Sequence, residues 1–163
     1  MSPAALGCSR RPRRAHGASL IEILVAVLVL SLGLLGLASM QVRALRALIS
    51  SEQRTQAVAL IHSLLEVMRV DRASALGGDY NTLGGTATPL CTLPPAPAAG
   101  LLAQAQLREW LDDAKDRLGP GQAATTCAVV ACDAQGVCSV RLQWDDRAAG
   151  GPSDQSVTVT SRL

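Results

Sequence analysis

Apolar positions run almost unbroken from Ala18 to Met40, ASLIEILVAVLVLSLGLLGLASM, 23 residues with a single charge at Glu22. That length suffices to cross a hydrocarbon core of ~30 Å as a helix, and in lipid a helix satisfies its own backbone. The pattern then changes without a break. Val42, Leu45, Leu48, Ile49, Val58, Ile61, Leu64, Leu65 and Met68 recur in steps of three and four, with Arg43, Arg46, Glu52, Arg54 and Glu66 between them. One face is apolar and the rest polar, as in a helix lying against a core. No Pro or Gly interrupts Ser39 to Leu76, so one helix from Ala18 to about Ser74 is expected, roughly 85 Å long, ended near Leu76 by Gly77-Gly78.

From Gly77 to Gly100 the chain is rich in Gly, Thr, Pro and Ala, including Gly84-Gly85 and Pro94-Pro95-Ala96-Pro97, and reads as a long connection. Leu101 to Leu118 has a second helical period. Leu102, Leu107, Trp110, Leu111 and Leu118 form its expected buried side, and Asp112, Asp113, Lys115, Asp116 and Arg117 its wet side. Gly119-Pro120-Gly121 stops it. Three strands follow: Thr126–Cys132 and Cys138–Trp144, joined by a hairpin loop at 133–137, then Ser156–Arg162 after the loop Asp145–Ser153. The fold class is α+β: a long N-terminal helix packed on a small head with a second helix and a short antiparallel sheet.

Composition sharpens this division. The 163 residues allow one modest domain plus an anchor. Aromatics are limited to Tyr80, Trp110 and Trp144, so the head has little material for a core and needs help from disulfides or a partner. Cys8 precedes the apolar run, whereas Cys91, Cys127, Cys132 and Cys138 all fall in the head. Their spacings, 35, 4 and 5 intervening residues, lack the short knuckles of zinc sites, and disulfides in an oxidising compartment are favoured. Four cysteines permit three pairings; Cys132 with Cys138, closing the hairpin, and Cys91 with Cys127 is preferred. The net charge of +2 conceals a basic leader. Arg10, Arg11, Arg13 and Arg14 precede Gly17 with no acid among them, and without them 11 basic residues face 13 acidic ones, or −2. No nucleic-acid partner is expected. The arginines should stay cytoplasmic, with the head across the membrane.

An ordinary secretory signal explains neither the length of the apolar run nor the acid within it, and a plain signal-anchor does not explain Glu22. The stretch HGASLIEILVAVLVLSLGLLGLA resembles the N-terminus of type IV pilins and pseudopilins, most closely the PilV family of minor pilins. Gly17, Ser19, Leu20, Ile21 and Glu22 fall on the family pattern. The resemblance implies cleavage by prepilin peptidase between Gly17 and Ala18, followed by N-methylation of Ala18, where the family usually has Phe. Glu22 becomes the fifth mature residue, and its carboxylate would neutralise the terminal amine of a neighbouring subunit during assembly. Gly33 and Gly36, near Ser31 and Ala38, would permit close helix approach or local melting.

The resemblance divides the chain into a cleaved leader (1–17), a transmembrane and assembly helix (18–40), the amphipathic half of that helix (41–76) and a periplasmic head (77–163). Its partners are prepilin peptidase, other major and minor pilins, the pilus assembly machinery and, before assembly, the inner-membrane bilayer. A type II secretion pseudopilin and a non-polymerising anchored binding domain are the alternatives. No catalytic constellation, phosphate loop or cofactor is expected. The histidines are His16 in the leader and His62, a packed or half-exposed residue on the helix. Asp145-Asp146 follows Trp144 where PilV-like heads carry a Trp-Asp element; a solvated turn is favoured over a calcium site.

Overall fold

A computed structural model describes residues 19–82, 89–98, 100–118 and 124–163. Two compact units follow one another along the chain, Met1–Gln41 and Val42–Leu163. The first unit contributes the apolar start of helix α1, which spans Leu20–Val70. Every described residue of this unit is exposed. Ser31 donates to the carbonyls of Val27 (2.8 Å) and Leu28 (2.9 Å), and Ser39 to that of Gly36 (2.7 Å), so the hydroxyls present no free donor on this surface.

The second unit is an α+β head. After α1 come α2 (Arg72–Gly77), α3 (Leu102–Leu118) and the strands β1 (Cys127–Cys132), β2 (Val137–Trp144) and β3 (Gln155–Arg162), which form an antiparallel sheet in the order β1-β2-β3. The helical run differs from the single helix expected, because it breaks at Asp71 before α2 resumes. It stops where Gly78 adopts the left-handed conformation, φ 85°. There Gly78 N–H bonds to Ala75 O (3.2 Å) and Asp79 N–H to Ser74 O (3.0 Å), closing the last carbonyls in a Schellman arrangement.

One core joins these elements. Ala57, Leu60, Ile61, Leu64, Leu65 and Met68 of α1 meet Leu107, Trp110, Leu111 and Leu118 of α3 and Val130, Val140, Leu142 and Trp144 of the sheet. Trp110 Nε1 donates to Leu60 O (2.7 Å), fixing α3 against α1. The apolar period of α1 covers more than the core does. Val42, Leu45, Leu48 and Ile49 remain exposed, and Val58 is half-buried.

On α3 two expected positions exchange roles. Leu102 is 62% exposed, whereas Lys115, assigned to the wet side, is 4% exposed. Its Nζ donates to Cys91 O (2.6 Å) and Thr126 O (2.8 Å), which gives the buried ammonium fixed acceptors. Burial still lowers its pKa, opposed by the charge of Asp112. The stop at Gly119-Pro120-Gly121 lies outside the described residues, as does Gly84-Gly85.

The two edges of the sheet differ. Along β1, Leu90 and Ala128 exchange backbone bonds (2.8 and 3.0 Å). Thr82 Oγ1 bonds both N–H and C=O of Val130 (3.2 and 3.3 Å), and the Asn81 amide does the same for Cys132 (2.7 and 3.3 Å). The connection before α3 thus supplies, partly through side chains, the partners a fourth strand would supply. β3 forms the other edge, and its residues alternate between half-buried and exposed from Val157 to Arg162.

Candidate assembly site

Glu22 lies in the first turn of α1, which begins as Ser19 O accepts the N–H groups of Glu22 (2.9 Å) and Ile23 (3.2 Å). An acid in this turn complements the positive end of the helix dipole. Around it Leu20, Ile21, Ile23, Leu24 and Val25 are all more than half exposed. Such a surface is stable only in lipid or against other apolar helices, and a carboxylate on it is costly in either setting unless it is paired, neutralised or reaches water. Among the described residues α1 is the one helix long and apolar enough to cross a membrane. A methyl group at Gly33 or Gly36 would meet nothing within 4 Å, so both glycines leave open surface for a partner. Gly17 and Ala18, the expected cleavage and methylation positions, lie outside the described residues.

In the head, the cysteines form two disulfides, Cys91–Cys127 and Cys132–Cys138. The first ties the long connection to the start of β1. The second joins residues directly opposed in the β1–β2 register. Lys115 holds the carbonyl of Cys91 and that of the residue preceding Cys127, so the buried ammonium and the first disulfide fasten the same two segments. Nothing in the helical period singles out this lysine; its signal lies in the fold of a connection that has no period.

The Asp145-Asp146 pair is engaged by the protein itself. Arg147 donates to Asp145 through its backbone N–H (2.9 Å) and through Nε (2.8 and 3.0 Å), and pairs with it through its terminal guanidinium nitrogen. These hydrogen bonds hold the Asp145 carboxyl below the usual carboxylate range. Ser50 of α1 donates to Asp146 Oδ2 (2.6 Å). Both acids are buried, not the solvated turn expected. Gly151 makes this possible, since a Cβ there would collide with the Asp146 carboxylate. The described residues hold no cluster of three or more His, Cys, Asp or Glu suited to a metal ion. His62 is exposed. Tyr80 is buried, with its hydroxyl bonded to Gln106 and 3.3 Å from Asp71 Oδ2; burial, then the charge of Asp71, pushes its pKa up to about 12.

Residues 12–38 match the family model of the prokaryotic N-terminal methylation motif. The match supports a type IV pilin-like protein, with a prepilin peptidase as its processing enzyme and pilin assembly as its context. It also suggests a structural, non-enzymatic role. Comparison of the chain with curated proteins and with solved structures finds no match.

Proposed function

We propose that this type IV pilin-like chain is a minor pilin of the PilV type, which enters a type IV pilus through its N-terminal helix and primes or modifies the fibre. The observation that carries the reading is Glu22, the single charge on an otherwise apolar and uncovered helical surface from Leu20 to Met40. A charge at the centre of a membrane helix costs on the order of 2.5–3.5 kcal/mol, and less near its end, so retaining it implies a use.

In this reading prepilin peptidase cuts between Gly17 and Ala18 and methylates Ala18. Each subunit then carries an amine at its first mature residue and a carboxylate at its fifth. The carboxylate of one subunit neutralises the amine of its neighbour, and in a low-dielectric fibre core each charge removes the other's desolvation penalty. Residues 1–17 are the leader. Residues 18–40 stay in the inner membrane until they join the fibre, 41–76 carry the helix into the head, and 77–163 form the periplasmic head. The same motif would serve a type II secretion pseudopilin, and the partners recovered with the chain separate the two readings.

The test is incorporation. With Glu22→Ala, the chain should still fractionate with the inner membrane but disappear from sheared filaments on immunoblots. Wild-type and variant chains present equally in those filaments would overturn the assembly role of Glu22.

A further inference from the structure

Immediately after the apolar segment, three arginines line one cleft of the head. Arg43, Arg46 and Arg54 project from α1 alongside Ser51, and the backbone of Gly150-Gly151 with Gln155 forms the opposite wall; the cleft holds about 620 Å³. The Arg46 side chain lies against this wall, its Cδ 4.0 Å from where a Gly150 Cβ would sit. All three arginines are exposed, and none forms an ion pair among the described residues. Asp146 does not line the cleft, but its carboxylate lies behind two residues that do, bonded to Ser50 and packed against Gly151.

We infer that this cleft binds the phosphodiester headgroup of an anionic phospholipid while the chain is still in the membrane. Three observations favour that occupant. Guanidinium groups stay charged and present paired donors that match phosphate oxygens. Arg43 and Arg46 come three and six residues after Met40, so at 1.5 Å per residue they follow the apolar run at headgroup depth. Arginines that close to a spanning segment are disfavoured on the translocated side. Here three of them nearly balance the four in the leader, and a headgroup contact gives a reason to keep them. Arg54, 14 residues after Met40 and so about 21 Å along the helix, adds positive charge at the far end of the cleft.

This inference rests on the reading that residues 18–40 span the membrane. The test uses the full-length processed chain in nanodiscs made from an equimolar mixture of phosphatidylcholine and phosphatidylglycerol. Lipids retained on the protein are counted by native mass spectrometry. Wild-type protein should retain phosphatidylglycerol about tenfold over phosphatidylcholine. The triple variant Arg43→Gln, Arg46→Gln, Arg54→Gln should lose that preference, and the matching lysine triple, which keeps the charge but not the paired donors, should keep only part of it. An unchanged thermal midpoint of the head shows that the glutamine triple is folded. No preference in the wild type, or equal preference in wild type and glutamine triple, would overturn the inference. So would cross-links from the cleft to the acidic residues of α3 in a second copy in place of lipid. A chain extracted from membranes by alkaline carbonate would overturn the membrane reading itself, whereas an integral chain without lipid preference would overturn the cleft alone.

Discussion

The apolar start of α1 and the head answer opposite questions about stability. From Leu20 to Gln41 no residue is buried, and all backbone bonds are local to the helix. From Val42 onward, Ile61, Leu64, Leu65, Met68 and Trp144 are almost wholly removed from solvent, and two disulfides cross the head. The first region therefore keeps its interaction surface for another molecule, whereas the second buries its apolar residues against itself. Substitutions should divide the same way: those in the first region change assembly and leave folding alone, and those in the second change folding. Glu22→Ala gives the largest contrast. It should eliminate filament incorporation while shifting the unfolding free energy of the head by less than ~0.5 kcal/mol. A matching loss of head stability, read by thermal unfolding, would break the division.

Within the head, the disulfides give the next largest effect and rank themselves by the chain they enclose. Cys91–Cys127 closes a separation of 36 residues and Cys132–Cys138 one of 6. Loop-closure entropy makes the first worth about 4 kcal/mol and the second about 2 kcal/mol. Denaturant unfolding of Cys91→Ser with Cys127→Ser, against Cys132→Ser with Cys138→Ser, should preserve that order. A reversed order would mean that Lys115, which bonds across the same two segments as the first bridge, holds them by itself.

Gly151 separates close packing from backbone freedom. A methyl group there would collide with the Asp146 carboxylate, which must move or give up its bond to Ser50. Gly151→Ala should cost about 2 kcal/mol of head stability. In an Asp146→Ala background the same change should cost much less, because the colliding atoms are gone; the two substitutions are coupled in a double-mutant cycle. Additive costs would place the difficulty in the backbone and not in the contact.

The two regions also differ in how far the sequence reveals them. Glu22 in its apolar run, the Gly77-Gly78 stop, the second helix and the alternating strands carry strong local signals, and the architecture follows from them. Periodicity reports that a helix has an apolar face, but not what covers it. Val42, Leu45, Leu48 and Ile49 share the period of Ile61 and Leu64 and yet stay exposed. Lys115 looks like a solvent residue because its acceptors come from a connection and a strand start far away in the chain. Asn81 and Thr82 look like loop residues, although their side chains close the β1 edge. Each depends on a tertiary partner that no local pattern names.

The smallest effect concerns Asp145, buried in the head beside the exposed Arg147 side chain. Its carboxyl is held below the ordinary range by the hydrogen bonds from Arg147. In the unfolded chain it titrates near the ordinary carboxylate value, so the unfolded state takes up a proton first as pH falls. The contribution of Asp145 is therefore present above that value and fades as pH drops through the folded one. Asp145→Asn removes the titration while leaving an oxygen to accept the Arg147 backbone N–H. Thermal midpoints measured from neutral pH down to about pH 3 should fall less steeply in the variant than in the wild type. Parallel curves would show that the Arg147 contact, open to solvent on its arginine side, is screened too strongly to contribute. Filament incorporation should be the same for both chains, since this carboxylate, unlike that of Glu22, already has its partner within the head.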